Sequence, residues 1–306
     1  MLHALARTVP LSYYYPLRRG AVALRRGSLP RSACIAVLKL AATARRGRLA
    51  GELSEIRPLD LPEVTFRPID SMVMDAVYWF GVQGYEGKLA DVWVNFCGHA
   101  RSVLEVGGNV GLFSVIGARA TAGRYSVVEP VPGIAAVLRD NLLRNGLGRV
   151  EVIQGAAIAA ETPREVVLSI PDEGRAAPVG SHLIEGVEIS GRSSAAQIRV
   201  AGVPFRSLVA GRDLIKIDAE GIEAELLSAA RDIILAERPT LVIELLPSAT
   251  KLAALLGELA RVAGYAIHIV PQWGSDTIVT IAAETLTADM PSRHNAKDVV
   301  LSRIAL

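Results

Sequence analysis

From residue 71 onward, short apolar runs alternate with longer segments whose apolar residues recur at helical spacing. Seven of the runs read as strands, namely RSVLEV (101–106), RYSVVEP (124–130), RVEVIQG (149–155), RDLIKIDAEG (212–221), TLVIEL (240–245), YAIHIV (265–270) and DVVLSR (298–303). Strands that alternate with helices in this way pair in parallel and are covered by those helices. The pattern therefore predicts an α/β fold with a doubly wound, mostly parallel sheet.

The segments around these runs predict helices with one apolar face. Two of them, DSMVMDAVYWF (70–80) and GKLADVWVNF (87–96), precede the first strand. GIAAVLRDNLLRNG (133–146) follows the second strand, and IEAELLSAARDIILAERP (222–239) follows the fourth and is predicted as a single helix.

The connection between the third and fourth strands, about 156–212, is too long for a single crossover helix. It contains REVVLSI (164–170), LIEGVEI (183–189) and AQIRVAG (196–202), which alternate like short strands. We predict a β-rich lid insertion here. Because ligands bind at the carboxyl ends of the strands in such sheets, the insertion should lie over the site.

The net charge of +2 conceals two regions of opposite sign. Residues 1–51 contain nine arginines, one lysine and no acid, which leaves a net charge of −8 for residues 52–306. An acidic main domain is a poor match for nucleic acid. The basic segment suits peripheral contact with an anionic membrane, and the simpler alternatives are a solvated helical extension or contact with another subunit. We predict a basic, helical N-terminal extension over 1–70 and a main domain over 71–306.

Cysteines and apolar segments limit the protein class further. Cys34 and Cys97 are far apart, which excludes a disulfide scaffold and a zinc site built on thiolates. No apolar run approaches the roughly 18 residues that a membrane span needs, and no leader sequence opens the chain. We predict a cytoplasmic protein that could contact a membrane peripherally through its basic segment, and the sequence leaves its oligomeric state open.

The window VLEVGGNVGLF (103–113) joins the first predicted strand to a helix through a glycine-rich turn. A P-loop needs lysine after its last glycine, and a dinucleotide fold needs glycines where Asn109 and Leu112 stand, so both are excluded. The remaining pattern has room for a nucleoside that carries an amino-acid group, as in S-adenosylmethionine. Glu105 could accept from the ammonium group of that ligand, and Glu129 could bind its ribose hydroxyls. The simpler interpretation is a tight turn without a ligand, with Glu129 as a helix cap.

Four blocks of the sequence resemble the FkbM-type S-adenosylmethionine-dependent methyltransferases. They are GYEGKLADVW (84–93), VLEVGGNVGLFS (103–114), VVEPVPGIAAVLRDNLLRNG (127–146) and LIKIDAEGIEAELLSAARDIILAERPTLVIEL (214–245), of which the last is the most specific. The resemblance implies a class I, Rossmann-like methyltransferase fold with seven strands, the last one antiparallel. It also implies O-methylation of sugars, glycans or polyketide-type products.

The resemblance directs attention to the glycine turn and to the strand ends beside it. The candidate cofactor-binding residues are Glu86 (which follows Tyr85), Glu105, Gly107, Gly108, Asn109, Gly111, Leu112, Phe113, Glu129, Pro130, Gly155, Ala156 and Ala157. Two positions depart from the family pattern. Glu105 stands where the family usually has aspartate, and VPFRSLVAG (203–211) stands where the family tends to have Leu-Asp-Asp.

The fourth predicted strand contains a lysine where the segment should be continuously apolar. Alternation places Lys216 and Asp218 on one face, and a buried lysine needs a partner, for which Asp218 and Glu244 are the candidates. The pair could fix strand register or take part in chemistry. Transfer to a hydroxyl benefits from a nearby base, and the candidate catalytic residues are Asp218, Glu220 and His182. A divalent metal on Asp218, Glu220 and Glu244 is chemically allowed, but no feature of the sequence requires it.

We therefore predict an S-adenosylmethionine-dependent O-methyltransferase that acts on a hydroxyl of a saccharide, a glycan or a small-molecule natural product, with S-adenosylhomocysteine as product. Two alternatives remain. One is a nicotinamide-dependent oxidoreductase, against which the missing glycines argue. The other is a cofactor-binding module without catalysis, against which the charges at Lys216, Asp218 and Glu220 argue.

Overall fold

A computed structural model describes residues 49–171, 176–177, 182–183, 194–272 and 277–304. These residues form two compact units, one over 49–87 with 176–177 and the other over the remaining described residues. Residues 1–48 lie outside the described part, so the contact of the basic segment with a membrane or a subunit stays a prediction, as does the domain boundary at residue 70.

The first unit contains the helices α1 (Leu49–Glu52) and α2 (Met72–Phe80) and a short 3-10 helix over Val82–Gly84. The predicted helix over 70–80 corresponds to α2. Ser71 caps this helix by accepting a hydrogen bond from the backbone N–H of Val73 at 3.2 Å, which satisfies one of its unpaired donors.

The second unit combines helices and strands in alternation. Its described helices are α3 (Leu89–His99), α4 (Leu112–Ala120), α5 (Pro132–Arg144), α6 (Phe205–Val209), α7 (Glu223–Ala229), α8 (Arg231–Glu237), α9 (Thr250–Ala263) and α10 (Met290–Arg293). Its described strands are β1 (Ser102–Val106), β2 (Arg124–Glu129), β3 (Glu151–Gln154), β4 (Ala156–Ile158), β5 (Arg164–Pro171), β6 (His182–Leu183), β7 (Ser194–Pro204), β8 (Leu214–Ile217), β9 (Thr240–Glu244), β10 (Ala266–Val270), β11 (Val279–Ile281) and β12 (Asp298–Ser302). None of the helices described in either unit has the length and apolar character needed to cross a membrane.

An eight-stranded sheet lies at the centre of the second unit, in the order β11-β10-β12-β9-β8-β1-β2-β3. The strands β3, β2, β1, β8 and β9 are parallel, whereas β12 runs antiparallel between β9 and β10. The predicted doubly wound sheet with an antiparallel last strand is confirmed. The expectation of seven strands was wrong by one, because β11 pairs with β10 at the edge. β11 has only three residues, too few for alternation to stand out in the sequence.

The chain order reverses between β1 and β8, which are neighbours in the sheet although they are far apart in sequence. From β1 the chain builds outward through β2 and β3 on one side, and β8 begins the other side. Ligands of doubly wound sheets bind at the carboxyl ends of the strands where the order reverses. The loops that follow β1 and β8 are therefore where the site should lie.

The two faces of the sheet differ in character. Glu105, Lys216 and Val242 are paired in register across β1, β8 and β9, so their side chains lie on one face. The opposite face carries Ile215 and Ile217 and forms the main apolar core with residues of α7, α8 and α9. On β1, β8 and β9, the charged side chains thus lie on one face.

The connection from β3 to β8 forms a second sheet of four strands, in the order β4-β7-β5-β6. The predicted strands over 164–170 and 196–202 correspond to β5 and β7, which pair antiparallel along most of their length. Of the predicted strand over 183–189, only Leu183 is described, as the end of β6. The β-rich insertion is confirmed, while its action as a lid stays a prediction.

The prediction of a single helix over 222–239 was wrong, because the segment forms two helices, α7 and α8. Ala230 separates them, with φ of −112° and ψ of 15°. This alanine is fully buried in the apolar core. Since the break contains neither glycine nor proline, packing against the core decides it rather than the backbone preference of a residue.

Candidate active site

The loops that follow β1 and β8 are in direct backbone contact. The backbone N–H of Asp218 donates to the carbonyl oxygen of Val106 at 3.0 Å. At Gly107, φ is +88°, and a Cβ added there would lie 2.0 Å from the carbonyl oxygen of Asp218. Glycine is therefore required both by the backbone conformation and by the close approach of the second loop.

The rest of the glycine turn is shaped by β2 and α5. A Cβ on Gly108 would lie 2.3 Å from Cγ2 of Val127 and 2.5 Å from Cδ1 of Leu138. Gly111, with φ of +88°, directly precedes α4. Backbone conformation and close packing thus account for these glycines, so the case for a ligand rests on the polar side chains around the turn.

Two asparagines hold the turn, and the sequence analysis did not single out the second. Asn109 has φ of +46°, and its Oδ1 accepts from the backbone N–H of Val110 at 2.7 Å. The Nδ2 of Asn141, which is fully buried on α5, donates to the carbonyl oxygen of Val110 at 2.7 Å. A polar residue three positions after Leu138, on the apolar face of a predicted helix, was the available signal.

Glu129 ends β2 beside the glycine turn, and 5% of its surface is exposed. Its Oε2 accepts from the backbone N–H of Asn109 at 2.9 Å, and its Oε1 accepts from that of Val131 at 2.9 Å. Burial raises the pKa of Glu129 to about 7, although these two donors lower it. Each oxygen can accept a further hydrogen bond, so contact with ribose hydroxyls stays a prediction that the geometry allows.

Glu105 is buried on β1, on the same face of the sheet as Glu129. Its Oε2 accepts from the hydroxyl groups of Ser114 at 2.7 Å and of Tyr125 at 2.6 Å. Burial raises the pKa of Glu105 to about 7, while Tyr125, Lys216 and Ser114 act in the opposite direction. One carboxylate oxygen is thus held inside the protein by two hydroxyls, and contact with a ligand ammonium group stays a prediction.

Lys216 is buried in β8 with Asp218 as a partner, which confirms the first of the two predicted pairings. Its Nζ lies 3.0 Å from Oδ2 of Asp218 and 5.0 Å from the centre of the Phe113 ring. The Lys216 side chain is 3% exposed and that of Asp218 is 20% exposed. Burial raises the pKa of Asp218, but the charges of Lys216 and Lys297 outweigh it, so this pKa lies below its usual value. Asp218 is therefore an ionised, partly accessible carboxylate at the end of β8.

The loop after β8 has an uncommon backbone. Glu220 has φ of +55°, which residues other than glycine seldom adopt, and Gly221 follows with φ of +109°. The carboxylate of Glu223 stabilises this shape by accepting from the N–H groups of Ala219 at 2.9 Å and Gly221 at 3.1 Å. Strained residues concentrate at functional sites, so Glu220 stays a candidate.

Glu244, at the end of β9, pairs with a lysine that the sequence analysis did not consider. Its Oε1 accepts from Nζ of Lys297 at 2.6 Å. Lys297 directly precedes β12, which pairs with β9 in the sheet. Across the described part of the chain, no three or more His, Cys, Asp or Glu side chains could hold a metal ion together, and this finding covers Asp218, Glu220 and Glu244.

Several other candidate cofactor-binding residues also lie near Glu129 or the turn. The N–H of Gly155 donates to the carbonyl oxygen of Glu129 at 3.2 Å. Pro130 follows Glu129 in the chain, and Ala156 and Ala157, which open β4, follow Gly155. Leu112 and Phe113 are buried at the start of α4.

Two candidates are described apart from the turn. Glu86, next to Tyr85, is buried within the first unit, so it belongs to a different unit from the glycine turn. The backbone of His182 pairs with Ser169 at the edge of the four-stranded sheet, and its side chain lies outside the described part. The role of His182 as a base stays a prediction.

Comparison with known proteins extends these observations. A family model described as the methyltransferase FkbM domain matches residues 105–267, just over half of the chain. Methyltransferase FkbM from Methylobacillus flagellatus KT is 18% identical, with 66% of this chain and 44% of that chain covered at a TM-score of 0.40. An O-methyltransferase from Bacillus cereus, in complex with SAH, is 15% identical, with 70% and 78% covered at a TM-score of 0.38. The O-methyltransferase TomG from Streptomyces achromogenes, in complex with SAM, is 17% identical, with 66% and 64% covered at a TM-score of 0.34. A search of curated proteins finds no match.

Proposed function

Because the chain belongs to the methyltransferase FkbM family, we propose that it transfers the methyl group of S-adenosylmethionine to a hydroxyl of a saccharide, a glycan or a small-molecule natural product. The observation that carries this proposal is an ionised Asp218, held by Lys216 at 3.0 Å, against the glycine turn where the order of the sheet reverses. The family match argues against the nicotinamide-dependent alternative.

The residues around the turn fit such a cofactor. Glu105 and Glu129 place two carboxylates on one face of the sheet, beside a turn that neither a P-loop nor a dinucleotide motif matches. Carboxylates suit a ligand that carries ammonium and hydroxyl groups and a positive charge. When bound, S-adenosylmethionine supplies an electrophilic methyl group. We assign the ribose hydroxyls to Glu129 and the ammonium group to Glu105.

Asp218 and Glu220 serve the acceptor in this proposal. An ionised carboxylate is a strong hydrogen-bond acceptor, so Asp218 can hold a hydroxyl group and aim a lone pair of its oxygen. Lys216 keeps Asp218 ionised and restrains its position. Glu220, with its strained backbone, supplies a second carboxylate from the same loop. Most of the acceleration then comes from holding the reactants in the right orientation.

Isotope transfer tests the proposed function. The protein would be incubated with S-adenosylmethionine labelled in its methyl group and with polysaccharide and metabolite fractions of the source cells. We expect label in a methyl ether of one fraction, together with S-adenosylhomocysteine. Binding of S-adenosylmethionine without label transfer to any fraction would instead support the binding module without catalysis.

Glu129→Gln should weaken the binding of S-adenosylhomocysteine about tenfold or more, because charge-assisted hydrogen bonds to the ribose are lost. Isothermal titration calorimetry measures this. Glu151→Gln is the matched control, since Glu151 lies at the start of β3 and accepts from the hydroxyl of Ser126 at 2.7 Å. Unchanged affinity in folded Glu129→Gln would show that Glu129 is only a structural cap.

Asp218→Asn and Glu220→Gln should each reduce the rate of methyl transfer by roughly 10²-fold, because each removes a charge that orients the acceptor. The affinity for S-adenosylhomocysteine should change no more than a few-fold. Asp232→Asn, an exposed aspartate that pairs with Arg206, is the control. Full turnover in both site variants would exclude these carboxylates and leave His182 as the remaining catalytic candidate from the sequence analysis.

A further inference from the structure

Two lysine–carboxylate pairs lie side by side at the carboxyl edge of the sheet. Ile217 of β8 pairs with Ile243 of β9, and Asp218 and Glu244 are the next residues on the two parallel strands. The two carboxylates therefore lie at matching depth. Asp218 pairs with Lys216 at 3.0 Å, and Glu244 pairs with Lys297 at 2.6 Å. The function proposed above employs only the first of these pairs.

The surroundings lower the pKa of Asp218 and raise that of Glu244. Burial raises the pKa of Glu244 to about 7, the charge of Asp218 adds to the rise, and Lys297 opposes it. Burial also acts to raise the pKa of Asp218, but Lys216 and Lys297 outweigh it and lower that pKa. When the pKa values of two neighbouring carboxyl groups differ in this way, the two groups can have different roles in acid–base catalysis. One stays ionised, while the other gains and loses a proton near neutral pH.

Charged groups face Glu244 from both strands that flank β9. On the side of β8 they are Asp218, which is paired with Lys216, and Glu220. On the side of β12 they are Lys297 and Asp298, of which Asp298 is paired in register with Glu244. Burial, Asp218 and Glu220 all raise the pKa of Glu244, and the charge of Lys297 opposes them only in part.

We propose that Glu244 accepts the proton of the acceptor hydroxyl while Asp218 holds that hydroxyl in place, an inference that rests on the proposed function. The acceptor oxygen forms its bond to the methyl carbon as the carbon–sulfur bond breaks, and the sulfur keeps the electron pair of that bond. The hydroxyl proton passes to the carboxylate of Glu244, which then releases it to water. Lys297 is a positioning residue that fixes this carboxylate and favours its ionised form.

The pH dependence of methyl transfer separates Glu244 from Asp218. Glu244 must be ionised to accept a proton, so the rate should rise with pH around the value of about 7. With the cell fraction that takes up most label as substrate, Glu244→Gln should reduce kcat by on the order of 10²-fold and abolish this rise. Asp218→Asn should lose rate but keep the rise. Glu165→Gln, an exposed glutamate on β5, should behave like the wild type.

A titration of the protein without cofactor provides a readout besides activity. After ¹³C labelling of the glutamate side-chain carboxyl groups, one NMR resonance that titrates near neutral pH should be absent from Glu244→Gln. Lys297→Met should move this titration, and the rise in rate, to higher pH because Glu244 loses its cation. Lys297→Arg should return both the titration and the rise in rate to their wild-type pH. If Glu244→Gln does not fold, the two Lys297 variants provide the test instead.

The outcomes separate the two proposals. A Glu244 carboxyl that titrates below about 5, as exposed glutamates do, would overturn the inference even if the variant is inactive. Methyl transfer with an unchanged rate or pH profile in Glu244→Gln would also overturn it and leave the proposed function intact. A wild-type protein that labels no fraction would overturn the proposed function, and the inference with it.

Discussion

We expect Gly107→Ala to lose a large part of the stability of the protein. Residues other than glycine in the left-handed region cost about 1–2 kcal/mol. In addition, the new Cβ would lie 2.0 Å from the carbonyl oxygen of Asp218, a backbone atom that cannot rotate away. The loop after β8 would have to move, so the total loss should exceed about 4 kcal/mol, against a typical stability of about 5–15 kcal/mol. Chemical denaturation followed by circular dichroism measures the loss.

Gly264→Ala is the matched control for this substitution. Gly264 follows α9 with φ of +72°, and a Cβ there would meet nothing within 4 Å. The control therefore retains the cost of the backbone conformation, about 1–2 kcal/mol, without the collision. Equal losses in the two variants would mean that the loops after β1 and β8 are not as close as the fold places them.

We expect Lys216→Met to cost about 3–5 kcal/mol, because removal of one member of a buried ion pair leaves the other charge uncompensated. Asp218 loses the ammonium group at 3.0 Å, and Glu105, paired in register with Lys216, loses a nearby positive charge. Thermal and chemical unfolding measure the effect. An unchanged melting temperature would show that Lys216 is not buried.

A control variant and a double variant test whether the loss comes from the buried ion pair. Lys88→Met removes a half-exposed lysine that pairs with Asp91, and it should change stability by less than about 1 kcal/mol. The double variant Lys216→Met with Asp218→Asn removes both charges and should recover part of the loss. A double variant as unstable as the sum of its two single variants would show that the pair is not coupled.

Much of the fold could be predicted because each strand and helix carries its own pattern. The seven predicted strands correspond to strands of the central sheet, since their apolar content is a local property. The break at Ala230 could not be predicted because packing against the apolar core decides it, and the edge strand β11 could not because its three residues are too few for alternation to stand out. Neither segment contains a residue that forces its conformation.

The candidate site shows the same division between local pattern and tertiary contact. The pairing of Lys216 with Asp218 was predictable, because alternation along a strand places residues two apart on one face. The pairing of Glu244 with Lys297 joins residues 53 positions apart and depends on β12 lying beside β9. Likewise, Asn141 reaches the glycine turn only because α5 packs against it.

The sequence by itself determined the doubly wound fold, the position of the glycine turn and the burial of a lysine in β8, because these follow from periodicity and residue type over a few neighbours. Only the tertiary structure decided what each carboxylate does. Glu105 binds two hydroxyls, Glu129 two backbone N–H groups, and Glu244 a lysine. A glutamate has the same chemistry wherever it stands in a sequence, and its burial and its partners are set by strands and helices that meet only in the folded chain.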